Sequence, residues 1–310
     1  MDQSTAVCVI GPGRAGTSVT MGVLALLDVD VGPEDGLVGP GPGGPKGFWE
    51  RREIIELNDR LLRSKGGSWR RPPLLRSGWE AADDLLGERE HARALLARTF
   101  AGSERWGWKD PRVSLTAAFW RDLVPQLRFV ICLRSPVDVA ASISPPPGDK
   151  QDDPFYYARR GPKREQALRL WGVYVASALA NTAGAQRLLV SYDGYFDDRR
   201  ATVERLARFI GRELPPVGGE VERRIDEFVD ADLRNHRTSP RAVMRNGEVP
   251  REVGSLYLMT ELLQGARDAA EDPAGPEVFE QSVDEYAQRL LAARESESNP
   301  DGTATSAFTE

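Results

Sequence analysis

Val7-Cys8-Val9-Ile10-Gly11-Pro12-Gly13-Arg14-Ala15-Gly16-Thr17-Ser18 is an apolar, β-branched run that enters a glycine-punctuated turn and leaves it as an amphipathic helix. The run predicts a buried strand over 5–10. Val19, Val23, Leu26 and Leu27 recur at helical spacing and predict a helix over 17–27. Backbone N–H groups of such a turn, with the positive end of the helix behind it, form a cradle for phosphate oxygens. Taken alone, the turn has a plainer reading as a tight strand-to-helix connection.

Working outward, strand-like segments return at 105–109, 128–133 and 187–191, each followed by a helical pattern. Further helices are predicted over 50–63, where Ile54, Leu57 and Leu61 share a face, and over 80–100, 164–182, 198–210, 220–229, 253–270 and 276–295, with Gly211 closing the one that ends at 210. Strands alternating with helices predict an α/β fold: a central, mostly parallel sheet flanked by helices, with a helical C-terminal portion. Residues 1–295 are read as one domain, and the polar SESNPDGTATSAFTE over 296–310 as a disordered tail. Two irregular segments interrupt the pattern, VGPEDGLVGPGPGGPKG (31–47) and SPPPGDKQDDPFYYARRGPK (144–163). The second suits a mobile cap over a site and is the expected determinant of which acceptor enters.

The turn meets the frame G-x-x-x-x-G-K-[ST] of nucleoside triphosphatases at Gly11 and Gly16, but Thr17 stands where the lysine belongs and the positive charge lies inside the loop, at Arg14. A second constellation narrows the reading. The predicted strand ending in Leu133 is followed by Arg134-Ser135-Pro136, and Ser142 lies eight residues after Arg134, about two turns into the next helix. Ligands of parallel sheets bind beyond the carboxyl ends of the strands. A guanidinium fork and a hydroxyl at that edge suit a terminal phosphate monoester.

With these motifs the chain resembles the superfamily of sulfotransferases that use 3′-phosphoadenylyl sulfate (PAPS). The bacterial branch commonly reads R-S-G-T-S in the loop and L-R-N-P-x-D-V-A-x-S at the second site. Here the text is Arg14-Ala15-Gly16-Thr17-Ser18 and Leu133-Arg134-Ser135-Pro136-Val137-Asp138-Val139-Ala140-Ala141-Ser142, with Ala15 one hydroxyl short. The resemblance runs in order from Val7 to Gly211. It implies a P-loop-like fold, a 5′-phosphosulfate loop over Gly11, Gly13, Arg14, Ala15, Gly16, Thr17 and Ser18, and a 3′-phosphate site at Arg134 and Ser142. It further implies that Pro45-Lys46-Gly47-Phe48-Trp49-Glu50 carries a carboxylate base. Trp108-Lys109-Asp110-Pro111-Arg112 would turn Lys109 toward the sulfuryl group, and Tyr192 would neighbour the adenine. The implied reaction moves a sulfuryl group from PAPS to a hydroxyl of a small-molecule, natural-product or carbohydrate acceptor. Glu50, Lys109 and Arg14 would be its catalytic residues, and no metal is needed because the cations come from the protein.

Each of these residues has a competing reading. Glu50 is also what a helix start favours electrostatically, and Glu53 and His236 compete with it as base. Lys109 has a salt bridge to Asp110 as its alternative, and Arg112 a structural carboxylate partner. The basic segment Arg234–Ser239 either folds over the cofactor or is a solvated loop. Phe48, Trp49, Trp69, Phe155, Tyr156 and Tyr157 are candidate acceptor-pocket aromatics, whereas Trp120 and Trp171 sit at core-like helical positions. Two other function classes remain as alternatives: a P-loop-type kinase or NTPase lacking its lysine, and a non-catalytic nucleotide-binding protein. The net charge of −6 over 310 residues speaks against a nucleic-acid or membrane-surface binder. Cys8 and Cys132 read as buried free thiols, no signal-like or membrane-spanning run appears, and a cytoplasmic location is expected.

Overall fold

Four strands, β1 (Thr5–Ile10), β2 (Arg105–Lys109), β3 (Arg128–Leu133) and β4 (Arg187–Ser191), form one sheet among the described residues, in the order β2-β1-β3-β4. The computed structural model describes residues 4–41, 46–143, 162–230, 234, 236–269 and 274–298. All three ladders are parallel, with Val9 beside Lys109 and Val130, and Leu133 beside Ser191. β1 and β3 are almost continuously buried, as expected of parallel strands covered on both faces. The strand bounds coincide with those read from the sequence.

The helices are α1 (Thr17–Leu26), α2 (Arg52–Ser64), α3 (Leu86–Thr99), α4 (Val113–Leu123), α5 (Pro136–Ile143), α6 (Arg164–Thr182), α7 (Gly194–Asp197), α8 (Arg199–Phe209), α9 (Glu220–Phe228), α10 (Pro240–Arg245), α11 (Arg251–Ala269) and α12 (Ala274–Ser298). α6 packs against α4, α5, α11 and α12, while α1 packs against α8 and α9. One hydrophobic core runs from Ala6 in β1 to Ala287 in α12. Side-chain alternation along β2 sends Trp106 and Trp108 to one face, where they join Phe100 and Trp120 in a row of aromatic rings 4.7–5.9 Å apart. It sends Lys109 to the other face.

The helices predicted from 253 and 276 each begin two residues earlier, at Arg251 and Ala274, and two other starts move for a visible reason. The helix predicted from residue 80 is instead two short 3-10 turns, Trp79–Ala81 and Asp83–Leu85, and becomes α-helical at Leu86. Ala82 is extended (φ −62°, ψ 141°), and Lys65 holds Asp84 at 2.8 Å. The helix predicted from residue 50 begins at Arg52, because Leu37 and Arg51 form an antiparallel bridge and Val38 N–H donates to Glu50 O at 2.8 Å. Glu50 therefore lies ahead of the helix, directly before its N-cap Arg51, with its carbonyl held by Val38. The final helix continues to Ser298, three residues into the segment read as a tail; the rest of that tail and the 144–161 part of the expected cap lie outside the described residues. No helix among the described residues is long and apolar enough to cross a membrane.

Candidate functional site

The loop leaves β1 at Gly11, whose N–H donates to Ser114 Oγ at 2.9 Å. Gly11 has φ +128°, and a Cβ there would stand 2.4 Å from the Cys132 carbonyl oxygen. Gly16 (φ +92°) faces Tyr192, whose Cδ2 would lie 2.7 Å from an added Cβ. Both positions therefore require glycine for space and for backbone conformation. Arg14 adopts φ +70°, an uncommon conformation for a side chain that size. Ala15 is buried in the core and contributes its backbone to the turn, its N–H donating to Pro12 O at 3.2 Å. Beneath the helix start, Tyr195 Oη and Cys132 Sγ both bond Thr20 Oγ1, at 2.9 and 3.2 Å. Burial pushes the Cys132 thiol up to about 12, so it stays protonated and inert.

At the C-terminal edge of β3, Arg134 is 6% exposed and donates from Nη1 to Arg14 O (3.2 Å) and from Nη2 to His236 O (3.1 Å). Its guanidinium lies 4.3 Å from the Tyr192 ring centroid. Burial depresses its pKa and raises that of Tyr192, with the neighbouring guanidinium opposing the rise. An arginine starts so high that it keeps its charge. Arg14 Nε donates to Ser142 Oγ at 2.8 Å, which brings the loop arginine and the α5 serine to one point. Within this cluster Arg134 Nε and Ser135 Oγ are buried and meet no hydrogen-bond partner among the described residues. Ser135 is only 1% exposed.

Lys109 and Glu50 form a second centre. Lys109 is 2% exposed and Glu50 is 0% exposed. Lys109 Nζ donates to Glu50 Oε1, to Phe48 O at 3.0 Å and to Ser18 Oγ at 3.2 Å. Ser18 Oγ in turn donates to Phe48 O at 3.2 Å, tying this centre to the loop. Desolvation lowers the Lys109 pKa, and the facing Glu50 carboxylate partly offsets it.

Several sequence candidates fall elsewhere. Glu53 pairs with Arg98 on the exposed side of α2, and the His236 side chain is exposed, with only its carbonyl reaching Arg134. Arg234 pairs with Asp193 and, at 3.5 Å, with Asp197; Arg237 meets Asp197 at 2.9 Å. Thr238 donates from N and Oγ1 to Asp138 at 3.0 and 2.5 Å. Arg234, Arg237 and Thr238 are thus tied to carboxylates that follow β3 and β4, while His236, Arg237 and Ser239 remain exposed. Lys109 pairs with Glu50 and not with Asp110, whose carboxylate is held by Asn58 (2.9 Å) and Arg112 (3.1 Å). Arg112 also reaches Asp59 at 2.7 Å, the structural role weighed for it.

The expected aromatic pocket is redrawn. Phe48 packs into a small cluster with Val38 and Ile55, and Trp49 packs on Phe228. An apolar recess of about 30 Å³ is instead walled by Pro12, Gly13, Trp69, Pro111, Trp171 and Tyr174. Trp171 is core, as expected, but also faces this recess and donates to Arg134 O at 3.0 Å. Phe155, Tyr156 and Tyr157 lie outside the described residues. Sequence reasoning missed Ser114, which accepts from the loop, and the partnerless Ser135. It also missed Arg51, which ties the 31–47 loop by bonds to Val31 O (2.9 Å) and Pro33 O (3.0 Å). The placement of Ser135 between Arg134 and Pro136 was the one available signal.

No protein-family model matches the chain, and no curated protein matches its sequence. Among solved structures, the sulfotransferase domain of the Synechococcus PCC 7002 olefin synthase is 16% identical, covers 93% of this chain and 94% of its own, and has a TM-score of 0.41. Sulfotransferase STF9 from Mycobacterium avium is 15% identical over 84% of this chain and 77% of its own, with a TM-score of 0.45. The sulfotransferase domain from the curacin biosynthetic pathway is 10% identical over 96% and 99%, with a TM-score of 0.40. Likeness at this level carries nothing about residue roles or chemistry.

Proposed function

We propose that the chain is a PAPS-dependent sulfotransferase acting on an acceptor hydroxyl. The observation that carries the reading is the convergence of Arg14, Ser142 and Arg134 at the sheet edge, where Arg134 Nε and Ser135 Oγ are buried with no partner among the described residues. The guanidinium groups of Arg14 and Arg134 with the Ser142 hydroxyl suit a phosphate monoester, and leaving buried donors unpaired costs about 1–3 kcal/mol each. The surrounding donor set is cationic or neutral, as a dianion requires. Tyr192, already against Arg134 and Gly16, offers a ring edge to a nucleobase. Asp110, the carboxylate ending β2, is engaged by Asn58 and Arg112, which disfavours a magnesium-dependent kinase reading.

Bound PAPS would supply an activated sulfuryl group on a phosphate leaving group. Lys109, with Ser18 and the loop N–H groups, is placed to face the charge that develops there. Glu50 is the counter-ion of Lys109 in the structure. A second anion beside Lys109 shares that ammonium and releases Glu50 Oε1 to take the acceptor's proton. As the acceptor oxygen bonds to sulfur, the bond from sulfur to the phosphate oxygen breaks and its electron pair leaves with the phosphate. The recess beside Pro12, Gly13 and Pro111 would take no more than a small apolar group of the acceptor.

Calorimetric titration with adenosine 3′,5′-bisphosphate, adenosine 5′-phosphate and ATP–Mg²⁺ tests the reading. The 3′-phosphate should be required for tight binding, and Arg134→Ala should abolish the preference for it. Preferential ATP–Mg²⁺ binding would return the chain to the kinase class.

A further inference from the structure

Trp49 lies between Phe48 and Glu50, two of the residues that meet Lys109, and its backbone occupies the left-handed region at φ +63°. That conformation favours glycine and is strained for a bulky aromatic residue, so something must hold it. In a regular extended chain main-chain carbonyls lie in the hydrogen-bonding plane while side chains stand perpendicular to it, so the carbonyl of one residue and the side chain two residues on do not converge on one point. A left-handed residue between Phe48 and Glu50 turns the chain, and the Phe48 carbonyl and the Glu50 carboxylate both come to Lys109 Nζ.

The holding contacts are visible. The Trp49 indole Nε1 donates to Lys46 O at 3.1 Å, and its ring meets Phe228 edge-on with centroids 6.0 Å apart. Lys46 Nζ donates to Glu227 O and Phe228 O at the end of α9, at 2.7 and 2.9 Å. Phe228 rests on Gly22 of α1, where an added Cβ would fall 2.2 Å from the ring. The indole is therefore fastened to α9, which is seated on the helix that carries the loop.

We propose that Trp49 is a positioning residue. Its anchored ring holds the left-handed turn that brings the Phe48 carbonyl and the Glu50 carboxylate together on Lys109. This rests on the reading of Lys109 and Glu50 as the transfer centre.

The test uses the full chain with Trp49→Gly, Trp49→Ala and Trp49→Phe. One readout is the ¹³Cε NMR signal of Lys109, identified by its loss in Lys109→Gln. Trp49→Ala should displace that signal in the same direction as Glu50→Gln and leave in place the signal of Lys65, which is tied to Asp84 away from Trp49, and Trp49→Phe should fall between Trp49→Ala and wild type. Thermal midpoints give an independent readout. Glycine ordinarily destabilises relative to alanine, but at positive φ the order inverts, so Trp49→Gly should melt at or above Trp49→Ala. With PAPS and an acceptor, kcat should fall about tenfold or more with KM for PAPS within about twofold, as when only transition-state interactions are lost. An unmoved Lys109 signal in Trp49→Ala and Trp49→Phe, with Trp49→Ala melting above Trp49→Gly, would overturn the proposal. If wild-type protein does not bind adenosine 3′,5′-bisphosphate, the functional reading fails, while the Lys109 signal still decides the role of Trp49.

Discussion

Separating the buried partners Lys109 and Glu50 is the most informative perturbation of stability. With both side chains almost wholly excluded from solvent, Lys109→Met strands the Glu50 carboxylate and Glu50→Gln strands the Lys109 ammonium. Breaking a buried pair by removing one partner typically costs about 3–5 kcal/mol, because an uncompensated charge remains. The depressed Lys109 pKa shows that desolvation outweighs the attraction of Glu50. Desolvation offsets much of the attraction within a buried pair, so Lys109→Met/Glu50→Gln should lose far less than the sum of the singles, with coupling of about 2 kcal/mol or more. The sign of the pH dependence follows from the same shift. The folded-state pKa lies below the usual 10.5, so the folded chain releases this proton first. The Lys109 penalty is then fully present below the folded pKa and is relieved as pH rises from there toward 10.5. Equilibrium urea unfolding of the parent, both singles and the double variant, at pH 7 and pH 9.5, measures all of this. Additive single costs, or singles below about 1 kcal/mol, would refute a buried charge pair.

Gly11→Ala should cost more than about 1 kcal/mol and weaken nucleotide binding, since both the positive φ and the Cys132 carbonyl 2.4 Å from the new Cβ oppose it; denaturant midpoint and calorimetry check the two effects. Ser114→Ala should cost about 1–3 kcal/mol by leaving the Gly11 N–H buried without its acceptor, measured by urea unfolding. Burial and the Asp193 carboxylate raise the Glu261 pKa to about 7. Its contribution is fully present below the unfolded-state value near 4.5 and is lost as pH rises through 7. Glu261→Gln should flatten the fall in stability between pH 5 and pH 8. At a nucleotide concentration of 100 Kd, adenosine 3′,5′-bisphosphate should stabilise the chain by about 2.7 kcal/mol, and the same concentration should add almost nothing to Arg134→Ala.

The sheet was legible because parallel strands advertise themselves: Val7 to Ile10, Phe129 to Leu133 and Leu188 to Val190 are short apolar runs flanked by turns, and helical periodicity follows each. What the sequence hid is what tertiary contacts impose. Nothing local predicts that Glu50 lies ahead of the helix, since the bridge from Leu37 to Arg51 that delays α2 joins segments separated by an irregular loop. The plain alternative for Lys109, a bond to Asp110, fails because adjacent strand residues point apart and a more distant carboxylate is brought in. The fastening of 234–239 likewise depends on Asp138, Asp193 and Asp197, residues from elements that only the fold makes neighbours.

Several of the places where this chain breaks local rules fall at the candidate site. Non-glycine residues with positive φ among the described residues are Arg14, Asp28 and Trp49, and two of the three flank the proposed transfer centre. The buried partnerless donors Arg134 Nε and Ser135 Oγ stand at the same sheet edge. An acidic protein has also gathered Arg14, Lys109 and Arg134 there, where low-dielectric walls strengthen their joint field. Each feature costs stability in the free protein. An anionic ligand reverses two of those costs at once, by meeting the donors and by neutralising the gathered cations. Local inconsistency that a single ligand class would relieve is the pattern expected of a functional site, whereas a merely tight turn gives no reason for Arg14, Arg134 and Ser142 to converge on one edge of the sheet.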